Sequence, residues 1–443
     1  VLTTDQVQLR CLFGLPSSEQ ILELSFWLDQ DPARAVAIIE DEVAIGVELP
    51  ERMELYWMGA SDAVLMQLAR DHLFMPFSFE SIKGNGERVK ERLEKAWTEV
   101  HLKASDFQGR GLDILSNLLA NVPHINESRK GSGLKGAFTG RAAVICGAGP
   151  SLEREAPRLE ALKDRALILA GGSALAALSH LGVAPHMGGY IDPNPPFERF
   201  ASSRAFDLPL LFQSRLDPQI AKMHGGEKVW FEGSGIHPAE QWLTGTGCFD
   251  AGWNVATFLV AVALFMGCDQ IALVGVDLDL VGGRAYAGGV GEGHKEQPKD
   301  WQLAADWLDD YETVSLDALM DRTPWDVQGH VHAALSAAPM MELQLERVEA
   351  LMHSFDRASS LCQQLLQLLE QAYPSDPTES GGYALIQREV EEEPAYQIFL
   401  QPVWEVWKDL FARQMPQGLP KAFAIELNKW LFLKGICDDA RKI

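Results

Sequence analysis

Residues 142–157, AAVICGAGPSLEREAP, carry a run of small and apolar residues into a glycine turn, Gly147-Ala148-Gly149-Pro150-Ser151, with a charged, helix-prone segment behind it. This order suits an anion site. Gly147 allows a tight turn and Gly149 a close backbone approach. Ser151 is placed to cap the following helix, whose first N–H groups and dipole favour a phosphate or carboxylate. A dinucleotide is not expected. The third fingerprint position is Leu152, and the next apolar run, ALILA (166–170), ends in Gly171-Gly172-Ser173, with no acid to bind a ribose. Gly172 and Ser173 repeat the chemistry of glycine, hydroxyl and helix start. Gly245-Thr246-Gly247 and Gly252-Trp253-Asn254 form a third such region before the helical segment 255–266, which contains Thr257. Three small-residue loops suggest a ligand with several anionic or hydroxyl groups; tight βα turns are the alternative.

Carboxylates form a second set. Asp192 follows an apolar run in GGYIDPNPP, and Asp277 and Asp279 follow IALVGV. At one sheet edge they can bind Mg²⁺, orient hydroxyls or act as bases, or simply cap turns. Pro193, Pro195 and Pro196 stiffen the loop after Asp192. His180, His186, His224, His237 and His294 show no HxxxH or HExxH spacing, which argues against a zinc hydrolase. A GxSxG elbow and a GxxxxGK[ST] loop are also missing.

The elements that must position these residues divide into three regions. Residues 1–115 read as a small α/β unit, with strands in LRCLFGLPSS (9–18), AVAIIEDE (35–42) and RMELYWMG (52–59). Residues 116–334 alternate apolar strands with helices. AAVICGA (142–148), RALILAG (165–171) and QIALVGV (270–276) are continuous apolar runs, and HMGGYID, LPLLFQS and KVWFEG are further strands. Such runs predict an α/β domain with a doubly wound, mostly parallel sheet, whose ligands bind at the carboxyl ends of the strands. The Gly/Ser/Lys-rich stretch 129–140 reads as a domain boundary. Residues 335–443 read as helical, which suits packing or oligomerisation. Segment 251–268, AGWNVATFLVAVALFMGC, sits at the lower edge of spanning length but reads as a buried core helix, and no membrane span is expected.

With 38 Lys+Arg against 62 Asp+Glu, the net charge of −24 disfavours nucleic acid and anionic membranes as partners. A local ring of N–H groups can still hold a small anion. Six dispersed cysteines with no CxxC pair and no secretory leader suggest free thiols and a cytoplasmic location.

Taken in order, IxGAGPSL, a strand with Gly-Gly-Ser, LGVxPHxxGxxD, the Gly-x-Asn-x-Ala-Thr helix start and VGVDL resemble a known family. It joins bacterial motility-associated factor (Maf) flagellin glycosyltransferases to archaeal 6-hydroxymethylpterin diphosphokinases. The similarity spans about residues 117–290, and FGLPSS (13–18) and the helical tail suit the longer Maf arrangement. The resemblance implies a sialyltransferase-like, Rossmann-type centre that takes a nucleotide or nucleotide-sugar. Gly147, Gly149, Pro150 and Ser151 would shape the donor-phosphate turn beside Gly172 and Ser173, and Asp192, Gly252, Asn254, Thr257 and Asp277 would line the pocket. Maf relatives imply transfer of a nonulosonic acid from its CMP form to Ser/Thr of flagellin. The diphosphokinases imply pyrophosphate transfer from ATP to a pterin alcohol with Mg²⁺, for which Asp192 and Asp277 are the candidate ligands. A non-catalytic nucleotide-binding or scaffold member is the third reading. Relatives commonly carry His-Ala after the Asp-Leu pair, where this chain has Tyr286-Ala287. A tyrosine, whose unperturbed pKa is about 10, is a poor base at neutral pH. His294 in GGVGEGHK is therefore the alternative proton acceptor.

Overall fold

The computed structural model describes residues 7–31, 34–41, 49–50, 52–58, 62–72, 75–84, 86–195, 207–233, 238–245, 249, 251–290, 299–343, 345–372, 381–405, 408 and 421–442. The chain forms two compact units, one of residues 1–109 with 402–429, the other of residues 110–401 with 430–443.

The first unit contains β1 (Leu9–Phe13), α1 (Ser18–Asp29), β2 (Ala35–Glu40), β3 (Met53–Trp57), α2 (Ala63–Asp71), β4 (Phe77–Ser81) and the start of α3 (Glu87–Asn126). Its four strands are all parallel, in the order β3-β2-β1-β4. Alternation along the strands supplies both faces. Leu9, Cys11, Ala37 and Ile39 pack with Leu65, Leu68, Leu93 and Trp97, while Leu12, Val36 and Ile38 pack with Leu24 and Leu28. Ser17 and Gln20 cap α1 reciprocally, each side chain accepting the other's backbone N–H, at 3.3 and 2.9 Å.

The second unit is built on β5 (Arg129–Lys130), β6 (Ala142–Cys146), β7 (Ala166–Gly171), β8 (Met187–Tyr190), β9 (Leu210–Gln213), β10 (Lys228–Phe231) and β11 (Gln270–Val274). The order is β11-β6-β7-β8-β9-β10-β5, and every pairing is parallel. Between the strands run α4 (Ser151–Leu162), α5 (Ser173–Leu181), α6 (Pro218–Met223), α7 (Pro238–Thr244) and α8 (Val255–Phe265). The two faces follow the period of two. Ala143, Ile145, Leu167, Leu169, Leu211, Val229 and Phe231 share a core with Phe258, Leu259 and Val262 of α8. On the opposite face Leu175 of α5 lies against Gly188. The fold is therefore α/β and doubly wound. α8 buries most of its residues, among them Phe258, Leu259, Val260 and Val262, as expected for a core helix in 251–268, while Leu264 is exposed, and no described helix is long and apolar enough to cross a membrane.

Helices then dominate: α9 (Lys299–Leu308), α10 (Leu316–Met320), α11 (Val327–Ala337), α12 (Leu345–Ala372), α13 (Gly381–Glu391) and α14 (Lys421–Ala440). Buried polar contacts set their register. The Trp430 indole N–H donates to the Tyr383 hydroxyl at 2.6 Å, and the Ser354 hydroxyl to Glu393 at 2.9 Å.

Residues 129–140 are not a linker. Arg129–Lys130 forms the sheet's edge strand, and Leu134 and Phe138 are buried in the main core. The Lys130 N–H donates to the Pro339 carbonyl at 2.7 Å, and the Phe138 N–H to the Met266 carbonyl at 2.7 Å. The hydrophilic composition of this stretch hides two apolar anchors.

Candidate functional site

From β6 the chain steps through β7, β8, β9 and β10 in one direction, and β11 returns to the other side of β6. The crevice between β6 and β11 is thus a topological switch point, where open α/β sheets bind ligands at the carboxyl ends of their strands. Both signature loops meet there. The Gly147 N–H donates to the Val274 carbonyl at 2.8 Å and the Gly149 N–H to the Gly275 carbonyl at 2.7 Å. These bonds carry the β6–β11 ladder into the loops. Gly149 has no room for a side chain: a Cβ there would lie 2.5 Å from Asp277 Oδ2 and 2.8 Å from the Gly275 oxygen.

Ser151 does not cap α4, contrary to expectation. Pro150 takes the cap position in helical geometry, and Ser151 is the first helical residue. The capping charge comes from Asp277. Its Oδ2 accepts the Ser151 N–H at 2.9 Å, and its Oδ1 accepts the Ser151 hydroxyl. The Leu152 and Glu153 N–H groups are taken by the Gly149 and Pro150 carbonyls, at 3.0 and 3.3 Å. A carboxylate of the protein itself therefore complements the N-terminal end of the α4 dipole.

The segment after Asp277 crosses the start of α4. Leu278 has φ 46°, a left-handed conformation that is uncommon for a non-glycine residue. Val281 and Arg284 close a tight turn by reciprocal backbone bonds of 3.0 and 3.1 Å through Gly282 and Gly283. The Ala287 N–H donates to the Ala148 carbonyl at 2.7 Å. Glu153, in the first turn of α4, accepts the Gly288 N–H at 2.7 Å and the Arg284 guanidinium at 3.1 Å. The Arg284 bond, then the Gly288 N–H, hold the Glu153 carboxyl below the usual range. Gly289 runs against His180 of α5, where a Cβ would come within 2.8 Å of the His180 Cβ. Half-buried Tyr286 rides on this strap beside the glycine turn.

The remaining sequence candidates are dispersed. Gly172 caps α5 at φ 45°, ψ −115°, a conformation suited to glycine, with Ser173 as the first residue of the helix. Among the described residues no acceptor lies on the N–H of Ser173 or Ala174. Asn254 and Thr257 cap α8. The Asn254 side chain accepts the Ala256 and Thr257 N–H groups at 3.0 and 3.1 Å, and Thr257 Oγ1 accepts the Asn254 N–H at 2.9 Å. Gly252, at φ 63°, packs on Thr257, where a Cβ would meet the Thr257 Cβ at 2.5 Å. Asp192 is exposed past the end of β8. β8 stands three positions from β11, roughly 14 Å at ordinary strand spacing, and both oxygens of Asp277 are engaged by Ser151. Among the described residues no group of three His, Cys, Asp or Glu poised for a metal occurs. Asp279 Oδ1 accepts the next backbone N–H, from Leu280, at 2.7 Å. His294, Thr246 and Gly247 lie outside the described residues.

A second polar cluster stands at the carboxyl ends of β9 and β10. Glu240 of α7 is buried, its Oε1 accepts the Gly233 N–H at 2.8 Å, and burial pushes its carboxyl up to about 7, against the Gly233 N–H and Ser214 bonds. Ser214 also accepts the Trp230 indole N–H at 2.8 Å. From α3, the Asn121 amide donates to the Ser214 and Leu216 carbonyls at 3.0 and 2.6 Å, and Asn117 to Pro193 and Arg215 at 2.8 and 3.0 Å. The spacing of Asn117 and Asn121, four residues apart on one helix face, is the available signal for this clamp.

Residues 116–283 match the family model described as 6-hydroxymethylpterin diphosphokinase MptE-like. Among solved structures, the Maf glycosyltransferase from Magnetospirillum magneticum AMB-1 is similar over 98% of this chain and 77% of its own, with a TM-score of 0.54 at 14% identity. The chain resembles the Maf/MptE-like family. The matched segment contains β5 to β11, the glycine turn and Asp277, so the resemblance centres on the switch-point crevice. At 14% identity the structural likeness is one of fold. No curated protein matches the chain.

Proposed function

We propose that the chain is a glycosyltransferase that binds a nucleotide-sugar over the β6–β11 crevice. The donor is a CMP-activated nonulosonic acid, and the acceptor is a serine or threonine hydroxyl of flagellin or a similar protein. The observation that carries this reading is the crevice. A glycine turn with space only for backbone meets an acid-bearing loop at a topological switch point, inside the segment that matches the family model. In the reaction, the acceptor oxygen attacks the anomeric carbon, the bond from that carbon to the CMP phosphate oxygen breaks, and CMP leaves. A base takes the hydroxyl proton. Tyr286 on the strap and His294 beyond it are the candidates, and the loops after β7 and β8, with Gly172, Ser173 and Asp192, extend the pocket along the sheet edge.

Thermal denaturation with added nucleotides tests the reading. CMP and CTP should raise the melting temperature more than ATP, because a specific ligand stabilises only the folded state. Stronger stabilisation by NAD, or no response to any cytidine nucleotide, would overturn it. Incubation with a CMP-activated nonulosonic acid and flagellin then reads transfer directly. CMP binding without transfer would leave a nucleotide-binding scaffold.

The family-model match favours one second reading, pyrophosphate transfer from ATP to a pterin alcohol. That chemistry calls for Mg²⁺, for which Asp192 and Asp277 are the candidate ligands. Calorimetry with ATP, with and without Mg²⁺, discriminates: a strict Mg²⁺ requirement favours the diphosphokinase.

A further inference from the structure

We infer that Asp277 is a built-in competitor for the phosphate at this crevice, an autoinhibitory contact that a nucleotide must displace; this rests on the nucleotide reading above. At the start of α4 the donors that would face a phosphate already have acceptors. The Ser151 N–H and hydroxyl go to Asp277, and the Leu152 and Glu153 N–H groups go to carbonyls of the turn. The Gly147 and Gly149 N–H groups bond β11 and its loop. Asp277 Oδ2 stands 2.5 Å from where a Gly149 Cβ would be, so the carboxylate fills the space that this glycine opens. A phosphate arriving beside it would set two like charges together without enough donors for both. Either the carboxylate leaves Ser151 or the phosphate is excluded.

The surroundings suit a contact that can be released. Leu278, the next residue, holds the left-handed φ of 46°, so backbone strain sits directly beside the latch. The strap that follows is held to α4 by exposed groups, the Arg284–Glu153 pair and the Gly288 N–H on Glu153. Such contacts exchange with water at small cost. A nucleotide entering the crevice would move Asp277 off Ser151. Asp277 would then regulate access to the phosphate position and would not serve as the base.

The test compares wild type with Asp277→Asn, which keeps the shape and an acceptor for the Ser151 N–H but removes the charge. Calorimetry measures inorganic pyrophosphate, CMP and cytidine, and Asp277→Ser serves as a second variant should the first fail to fold. If the latch operates, the variant binds pyrophosphate and CMP about tenfold more tightly while cytidine affinity stays the same. Weaker CMP binding by the variant, or an unchanged ratio of CMP to cytidine affinity where CMP binds, would overturn the inference. The two readings fail separately. Pyrophosphate binding gained by the variant, with CMP bound by neither protein, supports the latch and removes the nucleotide. If neither protein binds either ligand, both readings fall.

Discussion

The Gly288 N–H meets the carboxylate of Glu153 at 2.7 Å, joining the strap after β11 to the first turn of α4 across 135 residues of sequence. This bond and the Arg284 guanidinium are what hold the strap at that point. Glu153→Ala should free it. Amide hydrogen exchange at Ala287 and Gly288 is expected to rise about tenfold or more, while global stability falls by less than about 1 kcal/mol because the pair is exposed. Unchanged exchange at both amides would show that the Ala287–Ala148 bond alone fastens the strap.

Glu240 should make stability depend on pH near neutrality. Its folded pKa of about 7 lies above the ordinary 4.5. The native state therefore binds this proton more tightly than the unfolded state. The resulting stabilisation is fully present below about pH 4.5 and is lost as pH rises through about 7. The limit is about 3 kcal/mol. Glu240→Gln keeps an acceptor for the Gly233 N–H and removes the titration. Urea unfolding at pH 5 and pH 8 should show the variant gaining on wild type at pH 8, and a parallel pH response in both proteins would refute the assignment.

Gly149 tolerates no side chain. Even Gly149→Ala forces Asp277 or the Gly275 carbonyl to move, and Gly149→Val displaces more. Unfolding free energies should drop by about 1–3 kcal/mol for these overpacked turns. CMP affinity, measured on protein verified as folded, should fall further for valine. Wild-type stability in both variants would mean that the two loops separate easily.

Asn254 and Thr257 have a structural task, capping the first turn of α8. Asn254→Ala should lower stability by about 1 kcal/mol, the usual value of an N-cap. If Asn254 also contacts the nucleotide, CMP affinity will fall as well. If it is a cap alone, affinity will match wild type at a temperature where both proteins are folded.

What the amino-acid sequence determined by itself is local. β6, β7 and β11 are legible because strands buried on both faces need continuous apolar runs, as in Ala142–Cys146 and Ala166–Gly171. α8 is legible because an uncharged segment of that length must be buried somewhere. The glycine turn is legible because only glycine permits such close approach. The tertiary structure decided the partners. Strand order places β11 beside β6, and that adjacency alone brings Asp277 to Ser151, 126 residues away, where local reasoning assigned Ser151 to the helix cap. β5 was missed because a two-residue polar edge strand carries no periodicity, although it completes the sheet. Glu240 was missed because one acid in a short helix is ordinary until the fold buries it. Periodicity records which face of an element avoids water; which elements then become neighbours, and so which charges must satisfy one another, is set by packing the whole chain.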